Sequence, residues 1–159
     1  MSLIGVVRRG ALTGLVSATT CGGSLDVRRQ LTLSPSPECL QAALTNSPQV
    51  SELEALLAQG AGTSFRLQIR DPEARDSMWR TGLRLEPAPN SSALVRVGIH
   101  FSPSHGPRNR AEAQRVQRLA AALISEVTEV CAPGTTAPIM CTVESDHPLV
   151  TRRSGKCPA

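Results

Sequence analysis

Between residues 65 and 101 the hydrophobic period of the chain is 2, and this limits the fold more than any other feature. Phe65, Leu67 and Ile69 alternate with Arg66, Gln68 and Arg70. Trp79, Thr81, Leu83 and Leu85 alternate with Arg80, Gly82, Arg84 and Glu86. Ala93, Val95, Val97, Ile99 and Phe101 alternate with Leu94, Arg96, Gly98 and His100. Successive side chains of a strand point to opposite faces, so each run reads as a half-buried strand. Asp71-Pro72 supplies the first turn and Pro87-Ala88-Pro89-Asn90 the second, which together define an antiparallel meander.

Helical patterns flank the meander. Ser36-Pro37-Glu38 is a helix start, with a capping hydroxyl, a proline in the first turn and an acid at the positive end of the dipole. It predicts a short helix to about Leu44. Ser47-Pro48 repeats the signal and predicts a second helix over about 48–58, with Val50, Leu53, Leu56 and Leu57 on one side and Gly60 ending it. Asn109 caps the longest predicted helix, with Glu112 at capping-box spacing. Its apolar stripe is Val116, Leu119, Ala120, Leu123, Val127 and Val130, and Pro133-Gly134 stops it. Ile139 to Val143 reads as a fourth, short strand.

The order α-α-β-β-β-α-β predicts an α+β two-layer sandwich: an antiparallel sheet of three to four strands with helices on one face. With 159 residues there is room for one domain. Only 2% of residues are aromatic, one Trp and two Phe, so the core must be aliphatic. The same poverty argues against sequence-tolerant single-strand binding, which needs aromatic stacking platforms.

The first acid is Asp26. Arg8 and Arg9 precede a weakly apolar run from Gly10 to Ala18, which resembles a secretory signal peptide. Ala18-Thr19-Thr20-Cys21 resembles a degenerate lipobox of bacterial lipoproteins, with Ala18 and Thr20 where that family favours an aliphatic residue and Gly or Ala. The resemblance implies a signal peptide over 1–20, lipid on Cys21, a flexible tether over 21–36, and attachment to the bacterial cell envelope through the lipid alone. The single domain then spans 37–145 and a loose polar tail 146–159. A cytosolic chain and a mitochondrial transit peptide are the competing readings of the same residues. No segment is apolar enough over the length that a membrane-spanning helix needs.

Cysteine arithmetic favours export. If Cys21 carries lipid, Cys39, Cys131, Cys141 and Cys157 remain, an even number suited to two disulfides. A Cys131–Cys141 bridge, with Cys39 paired to Cys157, would pin the last strand and the tail; four cysteines allow three pairings, and all stay open.

The polar face of the meander carries Arg66, Arg70, Arg80, Arg84 and Arg96, against Glu86 alone. Guanidinium forks suit carboxylates and phosphates, so this face is the candidate anion-binding surface. In a chain this rich in arginine, charge that merely keeps a sheet soluble is the competing reading. The net charge of +4 falls to +2 once Arg8 and Arg9 are removed, too little to favour nucleic acid. His100, His105 and His147 show no metal-ligand spacing, and no nucleophile elbow, Walker loop or dinucleotide fingerprint occurs. The expectation is a non-catalytic envelope lipoprotein without cofactor or metal that binds or scaffolds an anionic envelope component or an acidic protein. The alternative is an intracellular basic module for RNA or an acidic protein partner.

Overall fold

A computed structural model describes residues 23–56, 62–73, 78–101, 106–144 and 153–158. The leader, Cys21, His105 and His147 lie outside them. In chain order the described elements are β1 (Gly23–Leu31), α1 (Pro37–Asn46), β2 (Val50–Leu56), β3 (Thr63–Arg70), β4 (Met78–Pro87), β5 (Ala93–Phe101), α2 (Arg110–Cys131), β6 (Met140–Glu144) and β7 (Arg153–Lys156). The chain is α+β, as its sequence predicts, and the meander is β3-β4-β5. The sheet, however, has seven strands rather than three or four, in the order β2-β3-β4-β5-β1-β6-β7 with every neighbour antiparallel.

Three segments depart from the sequence reading. The expected tether at 21–36 contains β1, which lies between β5 and β6. Its alternation is hidden because Arg29 occupies an inward position between Val27 and Leu31. The guanidinium is satisfied there: Nε donates to Ala137 O (2.9 Å), Nη1 to Thr128 Oγ1 (2.8 Å) and Nη2 to Thr135 O (2.7 Å). Second, the expected helix over 48–58 is the edge strand β2. A bulge between Val50 and Glu52 lets Val50 sit opposite Ile69 and Leu53 opposite Leu67, so two residues three apart share the inner face and imitate a helical spacing. Ser47-Pro48 closes α1 instead of opening a helix: Ser47 is the C-cap of α1, and its hydroxyl accepts from Gln49 N. Third, the expected loose tail contributes β7, paired to β6.

Both helices cover one face of the sheet. The Ser36 hydroxyl caps α1 by accepting from Cys39 N, and Leu40, Ala43 and Leu44 are buried. Asn109 caps α2, its Oδ1 accepting from Glu112 N at 2.8 Å; Glu112 reaches back to Arg108 N rather than to the cap residue. The buried arc of α2 is centred near Ala120, Ile124 and Val127, which leaves Leu119 at its margin and Val130 exposed, contrary to the stripe read from sequence. The core is aliphatic apart from Phe65, Trp79 and Cys141.

One buried carboxylate ties the β3–β4 connection to α2. Asp71 accepts from Trp79 Nε1 (3.4 Å), from Glu73 N in an Asx turn (3.0 Å) and from Arg115 Nε (3.0 Å). Its side chain is wholly buried, so the paired guanidinium and the two N–H donors are what make burial tolerable.

The disulfides are Cys39–Cys131 and Cys141–Cys157. The pairing of Cys131 with Cys141 and of Cys39 with Cys157 does not occur. The start of α1 lies beside the end of α2, with 5.8 Å between the Cα atoms of Cys39 and Cys131. Cys141 faces inward on β6 opposite Gly155, two residues before Cys157.

Candidate functional site

No described helix lies on the outer face of the sheet, so its side chains are those that alternate with the core. All five arginines singled out in the sequence fall there: Arg66, Arg70, Arg80 and Arg84 are exposed and Arg96 is half-buried. The strand register adds two cations that the sequence reading missed. Arg84 is opposite Arg96, Arg96 is opposite Arg28, Arg28 is opposite Met140, and Met140 is opposite Lys156. A basic row therefore crosses the sheet from β4 to β7, with three guanidinium groups on three adjacent strands. Arg28 was missed because β1 was not legible as a strand, and Lys156 because its segment reads as tail.

Like charges directly opposite each other are mildly destabilising, and only part of this row is compensated. Glu86 Oε1 lies 3.5 Å from Arg96 Nη1 and 3.7 Å from Arg84 Nε. Arg96 Nε lies 3.1 Å from Asp26 Oδ1 but is not aimed at it and makes no hydrogen bond. Burial pushes the Asp26 carboxyl above its ordinary value; Arg96 and Arg28 pull it down and are outweighed, while Glu86 adds to the rise. At the β2 edge, Arg66 is paired with Glu54 at 2.8 Å, and Gln68 with Glu52. Arg28, Arg70, Arg80 and Lys156 have no carboxylate within 4 Å among the described residues.

The face is not flat. The β4–β5 ladder ends at the pair Gly82–Gly98, although β4 extends back to Met78 and β5 on to Phe101. Thr81 Oγ1 donates to the Gly98 carbonyl at 2.8 Å where the two strands part. A depression of about 640 Å³ opens at this fork, with Gly82 and Gly98 in its floor and Glu52, Glu54, Arg66, Gln68, Arg80 and His100 among its walls. The volume lies within the range of small-molecule sites, about 300–1,000 Å³. A glycine inside a strand costs roughly 0.5–1 kcal/mol against alanine, and here two stand side by side.

Among the described residues no group of three His, Cys, Asp or Glu side chains is gathered that would hold a metal ion, and no helix is long and apolar enough to cross a membrane. His100 lies exposed on the outer face beside the fork.

Fold and face define a small, disulfide-bonded α+β protein with one open, basic sheet surface. No protein-family model and no curated protein matches the sequence. Solved structures that match include a protein of Thermus thermophilus, TTHA0849, at 16% identity and a TM-score of 0.36, over 65% of this chain and 94% of that one. That similarity is too slight to carry an argument about function.

Proposed function

We propose that the protein is a non-catalytic binding module of the bacterial cell envelope, anchored through lipid on Cys21, whose open sheet face recognises anionic groups. The basic row from Arg84 through Arg96 and Arg28 to Lys156 carries this reading. A sheet face needs mixed charges for solubility, and a row of cations in direct register works against its own stability. Such an arrangement suits phosphate or carboxylate groups repeated along a surface or polymer.

The cysteines support the envelope part. Cys39, Cys131, Cys141 and Cys157 pair among themselves, which leaves Cys21 as the odd one and fits an oxidising compartment. The intracellular alternative has no comparable support. With β1 beginning at Gly23, lipid on Cys21 would hold the domain directly at the membrane, without the long tether expected from sequence.

The test of the surface is salt-dependent retention on phosphocellulose. The triple variant Arg28→Glu, Arg84→Glu, Lys156→Glu should elute at much lower salt than the native protein, with an unchanged circular dichroism spectrum. Equal elution overturns the anion-binding reading. For the anchor, Cys21→Ser should release the full-length protein from the membrane fraction of a bacterial host; a variant that stays with the membrane overturns it.

A further inference from the structure

The described glycines have different causes: Gly62 lies against the Leu85 carbonyl, Gly134 has a positive φ, and Gly155, on the edge strand β7, is open but has no glycine opposite it. A Cβ on Gly23 would lie 2.2 Å from the Phe101 ring, and one on Gly106 2.3 Å from the same ring, so those two glycines make room for an aromatic side chain. Gly82 and Gly98 are different. A Cβ on Gly98 would meet nothing within 4 Å, and one on Gly82 would meet only the Phe65 carbonyl oxygen at 3.7 Å, an ordinary contact. Neither has a positive φ. Packing and backbone conformation therefore leave both positions free to carry side chains. They are also directly opposite each other, at the last rung before β4 and β5 part. An interior strand glycine often marks a bulge, a bend or a place where another group approaches the backbone, and the register through Gly82–Gly98 carries no bulge.

The register fixes what surrounds this bare patch. On β4 the same-face neighbours of Gly82 are Arg80 and Arg84; on β5 those of Gly98 are Arg96 and His100. Across the strands the patch is closed by Arg66 on one side and Asp26 on the other. With strands about 4.8 Å apart, the space between Arg66 and Asp26 is about 14 Å wide and only one side chain deep. Its floor is peptide backbone, and the depression beside it is lined by Arg66 and Arg80 together with Glu52 and Glu54; Glu54 is taken up by Arg66 and Glu52 by Gln68, which leaves the Arg80 guanidinium to stack on or pair with a flat anionic ring. Arg66, Arg84 and Arg96 have acid partners within the protein, whereas Arg80 has none among the described residues and stands with His100 at the end where the strands part.

We infer that the Gly82–Gly98 floor is a binding site for a small, flat aromatic molecule carrying one anionic group, with the ring laid on the two glycines and the anion held by Arg80. The inference rests on the anion-binding reading of this face and names a ligand class for it. The two are distinguishable by experiment, because Gly82, Gly98 and Arg80 lie outside the basic row, although Arg84 and Arg96 border both.

The probe is 8-anilinonaphthalene-1-sulfonate, with uncharged N-phenyl-1-naphthylamine as the same ring system without the anion. Trp79 is the single tryptophan and there is no tyrosine, so energy transfer from Trp79 reports binding of the sulfonate to the protein, and the glycine and Arg80 variants place that binding on the floor. The native protein should bind the sulfonate saturably, one per chain. Gly98→Val should weaken it at least tenfold while the melting temperature stays equal or rises, and Gly82→Val should do the same, which guards against either variant failing to fold. Arg80→Ala should weaken the sulfonate at least tenfold, and the uncharged analogue should bind the native protein at least tenfold more weakly. Both glycine variants should keep native retention on phosphocellulose. No saturable binding, or equal binding by a folded glycine variant, overturns the floor site. Equal binding of the two probes overturns the anionic requirement. Loss of phosphocellulose retention in the Arg28, Arg84, Lys156 variant with native sulfonate binding would leave the surface reading and the floor site both standing, as separate features.

Discussion

Asp26 shows how the outer face balances burial against charge. It is the acid closest to the middle of the sheet, and three cations, Arg96, Arg28 and His100, act to lower its pKa. Burial nevertheless outweighs them and raises it. A carboxyl raised in the folded state holds its proton more tightly there than in the unfolded chain. The resulting stability is fully present below the unfolded value near about 4, and is lost as pH rises through the folded value. Asp26→Asn should therefore match the native protein in urea midpoint at low pH and exceed it at neutral pH. The group is partly exposed, so solvent screening holds the gain below about 1 kcal/mol. Urea unfolding across the acid range checks this. A variant less stable than native at neutral pH would mean that the contact with Arg96 outweighs the cost of burial.

Local geometry decides which elements a sequence displays. The β4–β5 turn places Asn90 and Ser91 at φ of 63° and 61°, and Ser92 N donates to Pro89 O, so both central residues are left-handed as in a type I′ turn. Asparagine tolerates that region and serine less so. Ser91→Gly should raise stability by about 0.5–1 kcal/mol in urea unfolding, and no gain would mean that the turn relaxes without cost. The strands around this turn were legible because their core residues alternate without interruption. β1 was not, since Arg29 stands at an inward position and finds its partners at Thr128, Thr135 and Ala137, more than 90 residues away in sequence. Nor was β2, whose bulge turns a two-residue period into a three-residue one. The caps of α1 and α2 were read directly, because a capping side chain bonds a backbone N–H three residues on, as Ser36 and Asn109 both do. The five arginines of the meander were legible for the same reason as its strands, whereas the glycine floor depends on the register between β4 and β5, which no single strand reveals.

At the scale of the molecule, β1 lies between β5 and β6, so the sheet is completed only when the first described strand meets segments from the far end of the chain. Such long-range closure is slow and costly in chain entropy. The disulfides act on that cost. Cys39–Cys131 spans 92 residues and Cys141–Cys157 spans 16. On the chain-entropy model the longer loop contributes about 4.6 kcal/mol and the shorter about 3 kcal/mol. Cys39→Ala with Cys131→Ala should then lower the unfolding free energy by more than Cys141→Ala with Cys157→Ala. Reduction of both bridges should remove roughly 8 kcal/mol, comparable to the whole stability of a domain, about 5–15 kcal/mol. The measurement is urea unfolding of the two double variants and of the native protein with and without a phosphine reductant. The shorter bridge has one further contribution, because Cys141 is buried against the core while Cys131 is only partly so. If the Cys141, Cys157 variant proves the less stable, packing around Cys141 counts for more than loop length. If reduction leaves the midpoint unchanged, sheet closure through β1 holds without either bridge, and the entropic account of the disulfides is wrong.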